Sequence, residues 1–154
     1  MAKSEKQKLK LLYIIQCLME KTDEEHAVTT QEIIDYLALQ GITAERKSIY
    51  TDIDLLIDFG MDIIKKPGRS GGYTLASRQF ELAELKLLVD AVQSSKFITT
   101  KKSRELIGKL ETLCSKYEAT QLHRQVVVTN RNKAVNENIY YNVDIIYNAI
   151  AENV

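Results

Sequence analysis

The stretch Thr43-Ala44-Glu45-Arg46-Lys47-Ser48-Ile49-Tyr50-Thr51-Asp52-Ile53-Asp54-Leu55-Leu56-Ile57-Asp58-Phe59-Gly60 decides how the chain reads. On a helical wheel of about 100° per residue, Ile49, Ile53, Leu56 and Ile57 share one side, while Lys47, Thr51, Asp54 and Asp58 lie opposite. The spacing predicts an amphipathic helix over about 44–59, stopped at Gly60. Near its N-terminal end Ala44, Lys47, Ser48 and Thr51 are expected to project outward, with the acids Asp54 and Asp58 toward the other end.

Two helices are expected before it. From about Glu5 to Lys21, Leu11, Leu12, Ile15, Leu18 and Met19 recur at helical spacing and leave the lysines on the other face. Thr29-Thr30-Gln31-Glu32 reads as a capping box, in which the Thr29 hydroxyl takes a backbone N–H and Glu32 reciprocates. Ile33, Ile34 and Leu37 supply the buried stripe of the short helix that follows, and Gly41 can take the left-handed conformation that ends it. Behind the third helix, residues 61–66 and 72–75 are strand-like runs around the loop Pro67-Gly68-Arg69-Ser70-Gly71, which holds the only proline. Three helices and a hairpin wing make a winged helix-turn-helix, so the fold class is mainly α.

Further helices follow. Leu82, Leu85, Leu88, Val89 and Val92 form one stripe, and Leu106, Leu110, Leu113, Cys114 and Tyr117 another, predicting a helical hairpin that packs on itself or on a second copy. Gln125–Val128 reads as extended and Asn130–Lys133 as a polar loop. A last helix from about Glu137 carries Ile139, Tyr140, Val143, Ile146, Tyr147 and Ile150. The expected organisation is a winged helix over 1–78, a helical connector over 79–122, and a linker with one helix over 123–154. That helix has no later element to pack on, which reads as a truncation.

The 154 residues carry 21 Lys and Arg against 21 Asp and Glu. Zero net charge is awkward for a nucleic-acid binder, because phosphate neutralisation supplies much of the affinity. Placement therefore matters more than the sum. Asp23, Glu24 and Glu25 fall in the loop between the first two helices, whereas Arg46, Lys47, Lys65, Lys66 and Arg69 cluster on the third helix and the hairpin. The reading is a helix that enters a DNA major groove by its N-terminal end, with the wing along the backbone or in the minor groove. Lys47, Ser48 and Thr51 are the expected base contacts. Arg46 reads as a phosphate contact or an intramolecular ion pair, Tyr50 as a phosphate donor or a packing residue, and Lys65, Lys66 and Arg69 as the basic wing. Asp52, beside the buried stripe, reads as a structural hydrogen-bonding partner.

Other classes are poorly supplied. Cys17 and Cys114 read as buried reduced thiols, His26 and His123 as solvent-facing, and neither pair has ligand or triad spacing. No Walker loop, nucleotide fingerprint or nucleophile elbow occurs, so no catalytic site, metal or cofactor is expected. No apolar run nears the roughly 18 residues a membrane span needs, and the N-terminus lacks a signal-peptide core, which points to the cytoplasm. Tyr140, Tyr141 and Tyr147 read as an interface before base stacking.

Arg46-Lys47-Ser48-Ile49-Tyr50-Thr51-Asp52-Ile53 with Gly72-Tyr73-Thr74-Leu75 resembles the helix-turn-helix of DeoR-type regulators. The runs 80–92 and 136–150 resemble the connector and first effector-domain helix of bacterial WYL-domain transcription regulators. The resemblance implies a homodimeric regulator of double-stranded DNA whose effector ligand site lies in a C-terminal region beyond this chain. Glu45 stands where the family often has a small hydroxyl residue, and Thr51 where it often has a base. The Trp-Tyr-Leu signature is absent, since the chain has no tryptophan. The competing reading is a winged-helix protein-interaction module that does not bind DNA.

Overall fold

Three apolar helix faces meet over the N-terminal half of the chain. The structure, a computed structural model, describes residues 6–68, 71–125, 133, 135 and 138–151. Helix α1 spans Lys10–Lys21, α2 Thr30–Leu39 and α3 Arg46–Asp58, followed by strands β1 (Ile63–Lys66) and β2 (Gly72–Leu75). Residues up to Gln79, joined by Leu113–Glu118, form one compact unit; Phe80–Thr112 and the residues from Ala119 form a second.

The core of the first unit contains Ile14, Cys17, Leu18, Ile33, Leu37, Ile42, Ile49 and Ile53, all essentially inaccessible to water. Each such aliphatic side chain contributes about 1.5–3 kcal/mol by leaving water. The α1 face is rotated from the expected one: Leu12 and Met19 are exposed, whereas Lys10 is buried in line with Ile14, Cys17 and Leu18. On α3, Ile57 is exposed and Leu56 closes the stripe. Burial pushes the Cys17 thiol up to about 11, which fits the expected inert buried thiol.

Local signals set the element ends. Glu32 N–H donates to Thr29 Oγ1 at 3.2 Å and Thr29 N–H to Glu32 Oε2 at 2.7 Å, completing the capping box. Gly41, at φ 75°, closes the turn after α2. The carbonyls ending α1 are taken by the Arg78 guanidinium, which donates to Met19 O at 2.8 Å and to Thr22 O at 2.5 Å. Thr22 in turn accepts the Leu75 N–H at 3.0 Å, tying β2 to the end of α1.

The wing strands pair antiparallel, Ile63 opposite Leu75 and Lys66 opposite Gly72. Val28, just before α2, bridges to Tyr73 through N–H···O bonds of 3.0 and 2.8 Å. The wing is thus anchored to the loop that starts α2. A Cβ on Gly72 would meet the Val28 carbonyl oxygen at 2.3 Å, so this crossing requires glycine.

Leu113–Glu118 correct the second expected stripe. Instead of one helix through Leu106–Tyr117, α5 (Thr100–Glu111) ends and α6 (Lys116–Gln125) begins anew. Ser115-x-x-Glu118 is a capping box the hydrophobic pattern masked: Glu118 N–H donates to Ser115 Oγ at 3.1 Å and Ser115 N–H to Glu118 Oε2 at 3.0 Å. The Ser115 hydroxyl also donates to Asp23 Oδ2 at 2.5 Å. His26, expected in solvent, lies 2.7 Å from Asp23 Oδ1 and stacks on Tyr117 at 3.7 Å between ring centroids. His123 remains exposed, 3.1 Å from Glu111 Oε1. Burial would push Asp23 up, but hydrogen bonds from Ser115, His26 and the His26 and Glu25 backbone N–H groups together hold it below its ordinary value.

In the second unit α4 (Leu82–Ser94) packs on α5, with Leu85, Val89, Ile107 and Leu122 buried. Gln125 ends α6 rather than starting an extended run; Val126–Val128 and residues 130–132 lie outside the described residues. Helix α7, Asn138–Ala151, leaves Tyr141, Ile145, Ile146, Tyr147 and Ile150 exposed. No helix among the described residues is long and apolar enough to cross a membrane.

Two outcomes test this packing. Gly72→Ala should lower stability by roughly 1–3 kcal/mol, because its methyl meets backbone rather than a movable side chain; chemical denaturation reads this directly. Asp23, with its lowered pKa, contributes stability that is complete above its ordinary value and lost as pH falls through the native one. Ser115→Ala removes one of the bonds that lower it, so the acid-unfolding midpoint should move to higher pH, as circular dichroism would record.

Candidate nucleic-acid interface

Helix α3 presents its N-terminal half outward because Ile49, Ile53 and Leu56 fix the opposite side in the core. Arg46, Lys47 and Thr51 are exposed there, and Tyr50 is about half exposed at 45%. Two residues expected to project outward are only partly exposed. Ala44 packs against the core, and Ser48 is half-buried on the flank facing α1.

The cause is Lys10. Its ammonium reaches from α1 between Ser48 and Asp52, donating to Ser48 Oγ and forming an ion pair with Asp52 Oδ2. Asp52 is therefore a structural partner, as the wheel indicates. A lysine in line with Ile14, Cys17 and Leu18 is a signal that charge counting alone overlooks, since a buried ammonium requires an anion. The N-terminal residues add two more neighbours. Gln7 Nε2 donates to Thr43 O at 3.0 Å, and a Cβ on Gly41 would come within 2.9 Å of Lys6 Nζ, so both lie against the turn before α3.

The wing cations are partly engaged. Lys65 pairs with Asp54 at 2.5 Å on the surface, and that carboxylate holds the ammonium above its ordinary range. Lys66 donates to Glu24 O at 3.0 Å. Arg69 lies outside the described residues. Arg46 makes a long 3.4 Å contact to Gln31 Oε1 rather than an ion pair, and Thr51 donates to Lys47 O at 3.2 Å. The basic N-terminal half of α3 therefore borders a different half. There Asp54 and Asp58 stand beside Leu55, 50% exposed, and Phe59, 82% exposed.

A family model described as FokI, D3 domain matches residues 12–68. The matched span runs from α1 through the three helices and β1 into the wing, and covers less than half of the chain. The match supports a DNA-binding domain of winged-helix type here, in agreement with the exposed cations of α3. No curated protein and no solved structure matches the chain.

The Lys65–Asp54 pair is solvent-exposed on both sides, so it adds little to stability. Asp54→Asn should leave the unfolding midpoint essentially unchanged while the Lys65 amine titrates lower, back toward its ordinary range. Side-chain NMR of the ζ and ε positions would follow both.

Proposed function

We propose that the chain is the DNA-reading part of a sequence-specific transcription regulator, with α3 in the major groove and the wing on the backbone or in the minor groove. The observation that carries this reading is the exposed Arg46, Lys47 and Thr51 at the N-terminal end of α3, the end that helix-turn-helix proteins insert. The D3 match over the same elements supports it. Lys47 and Thr51 contact base edges, while Arg46, Tyr50 and Lys65 contact phosphates. Lys66 takes a lesser part, since its ammonium is held by Glu24 O.

The resemblance of residues 80–92 and 136–150 to WYL-type regulators extends the proposal to a cytoplasmic homodimer that reads two half-sites, with ligand sensing located elsewhere. Half-sites would then lie roughly 10 base pairs apart or a multiple of that. A second reading has its own support. Leu55, Phe59 and Ile64 expose apolar surface next to Asp54 and Asp58, a composition suited to a protein partner rather than a polyanion.

Fluorescence anisotropy with duplexes selected from a randomised library, at two salt concentrations, separates the readings. DNA binding should weaken steeply with salt. Lys47→Ala should lower affinity and flatten the log–log salt slope by about 0.9, one released counterion. Phe59→Ser should leave both unchanged. If no duplex is enriched at low salt, the protein-interaction reading stands instead.

A further inference from the structure

The two aliphatic hydroxyls of α3, on Ser48 and Thr51, are not equivalent. A serine hydroxyl offers one proton and two lone pairs, whereas a lysine ammonium only donates. The Lys10 ammonium directs a proton at Ser48 Oγ, so that oxygen acts as the acceptor, and the hydroxyl's own proton must turn away from the cation. A charge-assisted bond of this kind also polarises the O–H and strengthens it as a donor. Asp52, which pairs with the same ammonium, keeps Lys10 in place. Thr51 is the reverse case, because its proton goes to the Lys47 carbonyl and leaves lone pairs facing out.

We infer that Lys10 is the positioning residue of the DNA-reading surface: it sets Ser48 as a hydrogen-bond donor toward an acceptor on the duplex. The inference rests on the proposed DNA binding. Lys10 itself is 8% exposed and touches no DNA; it acts through Ser48. Acceptors available in the major groove are guanine N7 and O6, adenine N7 and thymine O4, together with backbone phosphate oxygens.

The test is a double-mutant cycle in the full chain. Lys10→Met alone would strand Asp52 beside an apolar stem, so it is combined with Asp52→Asn, which removes both charges at once; a retained circular dichroism spectrum and unfolding transition confirm the fold. Affinities are measured against the wild-type selected duplex and its single-base variants. Ser48→Ala and Lys10→Met/Asp52→Asn should each lose about three- to tenfold, and all three substitutions together should lose no more than either set. A loss tied to one base position identifies a base acceptor, and an equal loss on every duplex a phosphate; both sustain the inference. Additive losses, or an unchanged affinity for either variant, would overturn it. A wild-type chain that enriches no duplex fails the proposed function itself, and the inference falls with it.

Discussion

Burial of Ile49, Ile53 and Leu56 is the constraint on which the candidate interface depends. These side chains lock the rotation of α3 against α1 and α2, and by doing so decide which residues can meet a partner. Losing one of them would create a cavity costing about 2–5 kcal/mol and would free the helix to turn. The exposed row of Arg46, Lys47 and Thr51 is thus a consequence of apolar packing on the other side. The wing is positioned by the same logic, since Val28 and Thr22 fasten β2 to the ends of the loop between α1 and α2.

Charge on this surface is arranged locally rather than in bulk. With equal numbers of acids and bases, binding to a polyanion depends on where each carboxylate sits. Asp52 is withdrawn into an ion pair with Lys10, which removes one acid from the exposed face of α3. Asp54 instead neutralises Lys65 in the open, where solvent screening keeps the pair weak. The result is a basic N-terminal half and an acidic, apolar C-terminal half on one helix. That division is why both a nucleic acid and a protein partner have a physical rationale here.

Leu113–Glu118 show how a short segment can join a unit distant in sequence. The Ser115 hydroxyl and the Tyr117 ring meet Asp23 and His26, more than 90 residues away by number for the Ser115 bond. The same Ser115 caps α6 through Glu118, so one residue both begins a helix and secures the segment to the winged-helix unit.

The mainly helical winged fold was legible from the sequence because each local signal stands alone. The Thr29–Glu32 capping box, Gly41 at positive φ, the helical period of Ile49, Ile53 and Leu56, and the glycine-rich turn between two short strands all act within a few residues. Exposure of Arg46, Lys47 and Thr51 followed from that period. Tertiary structure alone decided the rest. The helical period puts the lysines of α1 on the polar face, yet Lys10 lies inside because Asp52 and Ser48, some forty residues on, supply the partners that make burial tolerable. His26, still partly exposed, is held against Asp23 and stacked on Tyr117 rather than standing free in solvent. Periodicity reports which side of a helix is apolar; the compensation of a buried charge depends on residues far along the chain, and no local pattern carries that information.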